Sequence, residues 1–347
     1  MLAKLKALFN SQESGLALII LVTFVVLTLK SGSHINFITG QRVNNFMNPD
    51  TLLLIATDAS IFAIMAVGST AVIVSGGIDL SVGAVYALAG VCMALTLRAM
   101  GPHASALELI VVGLAVCVGV GVLSGLLNGI AITALDVHPF IITLGTMWAL
   151  RGVAFVSSRA ESILLPDPVV NFMKADLGLR QDLHPMPMIV MFLIMIVGAI
   201  YLTRTVAGRR TYAVGGSSEA SRYAGLNLNR ILIGVYVLSG LTAGIAAFVG
   251  NAYYGSSSCG DATGYELYVI AAAVVGGASL SGGRGSAIGA MLGALLIVLI
   301  RQAIRTLHFD TNYEQIIIGL SIVIAVVVDR WQAKLRQRRL LAAQVRT

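Results

Sequence analysis

Charge is scarce in this chain. Only 11% of its 347 residues are Asp, Glu, Lys or Arg, against about 25% in soluble domains. Apolar types make up 57%, the mean hydropathy is +0.88, and apolar stretches run along almost the whole length. That excludes a sizeable soluble domain and, with it, a fused soluble enzyme. Three cysteines are present. Cys92 and Cys117 fall in apolar stretches and Cys259 in a Gly/Ser-rich loop, a spacing that fits neither a metal site nor a disulfide framework. The five histidines lie in or beside loops, and no H-E-x-x-H occurs. No G-x-x-x-x-G-K-[ST] occurs either, so ATP hydrolysis through a P-loop is not expected of this chain. Asp261 lacks a partner aspartate motif, and Ser124 and Ser239 have no histidine in a neighbouring span. No catalytic residue, metal or cofactor is expected.

What the chain does contain is membrane-length apolar sequence. Crossing a hydrocarbon core of about 30 Å takes about 20 helical residues. Ten spans are predicted: Gly15–Leu29, Leu52–Val74, Val82–Leu97, Leu107–Leu135, Phe140–Val156, Met188–Thr203, Ile231–Ala252, Leu267–Ala278, Ala287–Ile304 and Gln315–Val328. The fold class expected is an all-α, polytopic transmembrane bundle forming one domain over residues 1–347. The first run lacks a small-residue cleavage site before Lys30 and Ser31, so it reads as an uncleaved membrane helix rather than a signal peptide.

The net charge of +7 has a location that explains it. Basic residues concentrate in 204–230 and in the tail from Arg330 to Arg346, the pattern of cytoplasmic loops, so no nucleic-acid partner is expected. With both termini cytoplasmic, ten spans place fourteen basic residues inside and eight outside, with Arg151 left in a span. Two loops are long: 157–187, with four prolines, on the outside, and 204–230 on the inside. The first has room for a short surface helix. The second contains a helical stretch, Ser217–Ala224, that Ser217 or Ser218 can cap and whose first turn suits Glu219. It is the best place for a cytoplasmic partner to dock.

Two glycine-rich breaks interrupt the apolar sequence. SGGIDLSVGA covers Ser75–Ala84, and SGGRGSAIGA covers Ser281–Ala290. Unpaired backbone in lipid costs several kcal/mol per group, so such breaks need cover from protein or water, and paired breaks suggest a transporter with discontinuous helices. Gly76 and Gly77 end one span, Asp79 and Ser81 can cap the next, and Gly83 permits close packing. Asp79 is read either as a helix cap or as part of a gate, together with Gly282, Gly283 and Gly285 in the second break. Gly113, Cys117, Gly121, Gly125 and Gly129 recur at four-residue spacing, as do Gly285, Gly289 and Gly293, a signal of tight helix packing. Arg151 near a helix centre costs about 2.5–3.5 kcal/mol on insertion scales, so it needs an internal ion pair or a place on a substrate path. Asn128, Thr143, Thr146 and Trp148 offer amide, hydroxyl and aromatic groups that suit a sugar, and equally suit interhelical bonding. Asp58 and Glu266 are the acidic residues that an ion-coupled secondary transporter would use.

Four blocks in order carry a family resemblance: Ser75–Ala84, Leu126–Gly152 (LLNGIAITALDVHPFIITLGTMWALRG), Gly208–Ile231 (GRRTYAVGGSSEASRYAGLNLNRI) and Gly264–Gly289 (GYELYVIAAAVVGGASLSGGRGSAIG). They resemble the membrane-spanning permease subunits of ribose-type ABC sugar importers, within the larger branched-chain amino acid and monosaccharide permease group. The resemblance implies a bundle of about ten helices in a bacterial plasma (inner) membrane, paired with a second permease subunit. It implies a separate cytoplasmic ATPase, an extracytoplasmic sugar-binding protein and a sugar or polyol as cargo. The segment around Ala213–Asn229 would fit a groove in the ATPase, with Arg209, Arg210, Gly215, Gly216, Glu219, Arg222 and Gly225 at the contact, and the 157–187 loop would face the binding protein. Ser217 stands where the family commonly has asparagine, and it keeps the capping chemistry.

Overall fold

A computed structural model of the chain describes residues 12–35, 40–176, 178 and 183–310, and beyond them 313–317, 319, 320, 323, 324 and 327. Helix α1 (Gln12–Lys30) leads through a hairpin, β1 (Ser33–Ile35) and β2 (Arg42–Asn44), to α2 (Pro49–Val74), α3 (Val82–Met100), α4 (Ala106–Leu135) and α5 (Pro139–Ser158). Strand β3 (Ile163–Leu164) and the short α6 (Asp167–Met173) precede α7 (Met186–Arg204). Two short helices, α8 (Val206–Gly216) and α9 (Ser218–Tyr223), then lead to α10 (Leu228–Tyr254), β4 (Ser256–Ser257), α11 (Tyr265–Val275) and α12 (Ala287–Thr306).

Eight of these helices, α1 to α5, α7, α10 and α12, are long and apolar enough to cross a membrane. They coincide with eight of the ten predicted spans, and the protein is a polytopic helical membrane protein. The predicted eighth span is different. Its helix, α11, has 11 residues, about 16 Å at 1.5 Å per residue, which falls short of a hydrocarbon core. Gly276 and Gly277 stop it just before Ala278, so the predicted span, itself short, stays short. Of the tenth, Gln315–Val328, the described residues 315–317, 319, 320, 323, 324 and 327 are helical. Its other residues, Lys4, Lys6, Arg180 and the basic tail lie outside the described residues.

Helices α2 and α10 form the centre, with Phe62, Ile64, Met65 and Tyr236 almost fully buried. The small-residue face of α4 lies against α10, as its spacing predicts. A Cβ on Gly121 would overlap the carbonyl oxygen of Gly240, one on Gly125 that of Tyr236, and one on Gly129 would sit 2.7 Å from the Cα of Ile233. In lipid, apolar side chains gain little by leaving the tails, so this backbone approach is what associates the helices. Gly289 and Gly293 do the same for α12 against α11, at the carbonyls of Gly276 and Ala272.

Candidate functional site

The site is best approached through the ends of α2 and α11. At α2 the Gly77 N–H donates to Val72 O (3.0 Å) and the Gly76 N–H to Ile73 O (2.9 Å). At α11 the Ala278 N–H donates to Ala273 O (2.9 Å) and the Gly277 N–H to Val274 O (2.9 Å). Both are Schellman closures, which need a left-handed residue just past the helix. Gly76 (φ 88°) and Gly277 (φ 102°) supply it. The structural counterpart of Ser75-Gly76-Gly77 is therefore Gly276-Gly277-Ala278. The Ser281–Gly285 stretch that resembles it in sequence lies further along the same break, which closes when α12 starts with Ser286 as its N-cap.

The two breaks meet. The Gly283 N–H donates to the last carbonyl of α2, Val74 O, at 2.8 Å, filling an acceptor that a helix end leaves open. Helix α8 lies across this junction. A Cβ on Gly215 would overlap Val74 O and sit 2.7 Å from the Gly283 nitrogen, and one on Gly282 would sit 2.5 Å from Gly215 O. The Tyr212 hydroxyl donates to Gly285 O at 2.6 Å, and burial raises its phenol above the usual range. Thr205 caps α8 through the Gly208 N–H, and Ser217 caps α9 through the Ala220 N–H at 3.2 Å. Arg209, Arg210, Gly216, Glu219, Arg222 and Gly225 all stay exposed, as does Tyr223 at 84%. The helix predicted over Ser217–Ala224 is thus present with its cap. The one before it, α8, has no apolar periodicity to announce it, and only Thr205 signals its start.

Behind the first break sits a buried polar network. Asp79 Oδ1 accepts from the Ser81 N–H (2.9 Å) and the Ser81 hydroxyl (2.6 Å), and Oδ2 accepts from Ser239 (2.8 Å). Asn128 Nδ2 donates to Ser81 Oγ at 2.8 Å. Thr143 and Tyr236 hydroxyls both donate to Ile78 O, at 3.3 Å. Ser239 is well inside α10, about 16 Å along it at the helical rise, so the break runs at membrane depth and neighbouring helices re-satisfy its backbone. Ser81 stands at the N-cap of α3 but makes no side-chain cap bond: its backbone is helical (φ −82°, ψ −11°) rather than extended, and its oxygen accepts from Asn128. Gly83 gives close approach, with a hypothetical Cβ 2.6 Å from both Ala262 O and Glu266 Oε2.

Comparison with known proteins bears on this arrangement. Residues 51–326 match the model of a family described as the branched-chain amino acid transport system / permease component. The chain belongs to that family. It is 35% identical to a ribose import permease of Escherichia coli K12, over 93% of this chain and 95% of that one. It is 33% identical to a fructose import permease of Rhizobium meliloti, over 96% and 90%, and 34% identical to a D-allose transport permease of E. coli K12, over 83% and 86%. The chain is a permease, a translocation component and no enzyme, with several passes through the bacterial inner membrane.

The permease gathers the residues singled out in its sequence into two neighbouring clusters. Asn128 and Thr143 join the first break. Arg151 lies beside Gly83, where an added Cβ would sit 3.6 Å from its guanidinium, and is 9% exposed. Its guanidinium donates to the main-chain oxygens of Cys259 (2.9 Å) and Ala262 (3.2 Å) and also to that of Asp261. The partners Arg151 takes are a cage of carbonyls, and Glu266 Oε2 beside it is buried with no hydrogen-bond partner. The same connector pairs with the strand after α5, Ile163 opposite Ser257 and Leu164 opposite Ser256. Thr146 bonds back to its own helix, and Trp148 is 70% exposed on α5. The five substrate-path candidates therefore do not converge within one chain. Sequence reading missed Tyr212, Tyr236 and Ser239, whose partners are 73, 158 and 160 residues away.

Proposed function

We propose that this chain is the translocation subunit of an ABC importer that moves a monosaccharide or related sugar or polyol across the plasma membrane. A separate cytoplasmic ATPase powers it, an extracytoplasmic binding protein delivers the sugar, and a second permease subunit completes the dimer. The observation that carries this reading is α8, which packs its inner face onto both helix breaks and continues with α9 into an exposed basic surface. A partner that pushed on Arg209, Arg210 and Arg222 would push on the breaks as well. The names of the ribose, fructose and D-allose relatives support the cargo class.

In this reading both termini are cytoplasmic, residues 1–347 form one permease domain, 204–230 is the coupling loop and 157–187 receives the binding protein. Gly76, Gly77, Asp79, Ser81, Gly83, Gly282, Gly283 and Gly285 form the gate. Trp148 faces away from its own bundle while Thr146 is half-buried, so a sugar path that uses Trp148 needs a second subunit against α5. Co-purification of the tagged permease with its ATPase tests the reading. Charge reversal at Arg209, Arg210 and Arg222 is expected to release an ATPase that wild type retains. Among the described residues, the unpartnered carboxylate oxygen of Glu266 suits an ion-coupled secondary transporter. If no ATPase is retained and the lone chain moves sugar down an ion gradient, that second reading replaces the first.

A further inference from the structure

Four backbone positions from distant parts of the chain converge at the α8 end: Val74 closing α2, Gly283 and Gly285 in the second break, and Gly215 near the end of α8. We infer that Tyr212 and Gly215 form a rigid joint through which any displacement of α8 reaches both helix breaks at once. This rests on the coupling-loop reading above and names the residues that transmit the motion.

Three observations carry it. The first is the division of labour on one helix. Gly208, Thr211, Tyr212 and Gly215 share one face of α8, at spacings of three and four, and that face is applied to the protein; Gly208 and Thr211 are buried. Arg209 and Arg210 are exposed. A single short helix therefore has a partner-facing side and a break-facing side with no flexible segment between them. The second is the nature of the contact. At Gly215 backbone touches backbone: a Cβ there would overlap Val74 O, so no rotamer can absorb a shift. The third is that the joint is bonded on both sides. Gly283 donates to Val74 O, tying the second break to the first, and Tyr212 donates to Gly285 O at 2.6 Å, tying α8 to the second break. Close-packed elements with discrete contacts transmit strain rather than dissipate it. Gly285, with φ 154°, has a conformation that other residues rarely take, so the receiving position calls for glycine.

Tyr212 and Gly215 are positioning residues in this scheme and contact no cargo. The test uses the assembled permease–ATPase complex, with its three native cysteines replaced and one nitroxide label placed at Ser281, an exposed residue of the second break. The measured quantity is the change in label mobility when ATP and vanadate are added. Tyr212→Phe keeps the ring and removes the bond to Gly285 O; it is expected to cut the change at least threefold. Gly215→Ala is expected to abolish it. Gly234→Ala, whose Cβ enters open space, keeps it in full. ATPase stoichiometry in each purified complex shows that the variant assembled. A full mobility change in both Tyr212→Phe and Gly215→Ala overturns the joint, and so does a wild-type complex whose label never responds. Failure of the wild-type chain to retain any ATPase is a separate result, visible before any variant is made. It removes the importer reading and the joint with it.

Discussion

Two regions of this bundle are held by opposite means. At the α8 end, backbone meets backbone: Gly215 against Val74 and Gly283, with glycine wherever another residue would put an atom in the way. Beyond the first break, long side chains reach across to backbone or to each other. Arg151 grips three carbonyls, Tyr254 donates to Asp58, and Arg301 pairs with Glu314 at 2.6 Å while stacking over Phe62 and Tyr268. A glycine contact has one geometry and fails when an atom is added. An arginine contact has several rotamers and fails when atoms are removed. The first suits transmission of a displacement, and the second suits a surface that must release and re-form.

The largest effect that separates the two regions should come from Arg151→Met. It leaves the carbonyls of Cys259 and Asp261 without the guanidinium as donor, while Ala262 O keeps the Tyr265 N–H at 3.2 Å. Each orphaned buried acceptor costs about 1–3 kcal/mol, so a loss of about 2 kcal/mol or more is expected, read as a lowered thermal midpoint of the detergent-solubilised chain. Arg151→Lys, which has fewer donors and no planar fork, should recover part of it. A midpoint unchanged in Arg151→Met would mean that water replaces the guanidinium and that the Arg151 cage adds nothing to the hold.

Adjacent glycines at the α8 end offer a finer comparison. Gly215→Ala forces backbone apart, and overpacking of this kind costs about 1–3 kcal/mol. Gly216→Ala puts its Cβ into open space, where helical alanine is at no disadvantage to glycine. Thermal midpoints should fall for the first and hold or rise for the second. If both fall equally, the requirement for glycine lies in the mobility of the α8–α9 elbow, and the contrast with the Arg151 cage narrows.

How much of this was legible beforehand follows from the same contrast. The packing face of α4, the breaks after Val74 and before Ala287, and the cap at Ser217 are local patterns, since spacing or residue type announces them within ten or so residues. The joint is not local. Tyr212 reads as an ordinary aromatic in a basic loop until Gly285 is beside it, 73 residues on. Arg151 was recognisable as costly from its position in an apolar run, but the identity of its partners was not, because main-chain carbonyls have no residue type to give them away. The apparent kinship of Ser75–Ala84 with Ser281–Ala290 also misled. What repeats in three dimensions is the Schellman closure, and a glycine at the left-handed position is the only requirement the two closures share.

The smallest effect asks whether charge contributes to the grip at the Arg151 cage. Asp261 accepts from the Ser258 N–H at 2.8 Å, in the connector between α10 and α11. Burial raises its carboxyl above the ordinary 3.8, and the Ser258 N–H and the Arg151 charge only partly offset this. The folded chain therefore keeps this proton at a pH where the unfolded chain has lost it. Its contribution to stability is fully present below the ordinary value and is lost as pH rises through the raised one. Asp261→Asn keeps an acceptor for Ser258 and cannot titrate. Relative to wild type, the asparagine variant should gain thermal stability as pH rises from acid toward neutrality. A difference that stays flat over that range would mean that Asp261 titrates alike folded and unfolded. Arg151 would then be held by the arginine–carbonyl geometry alone, and its cage, like the glycine contacts of α8, would owe nothing to an ionised Asp261.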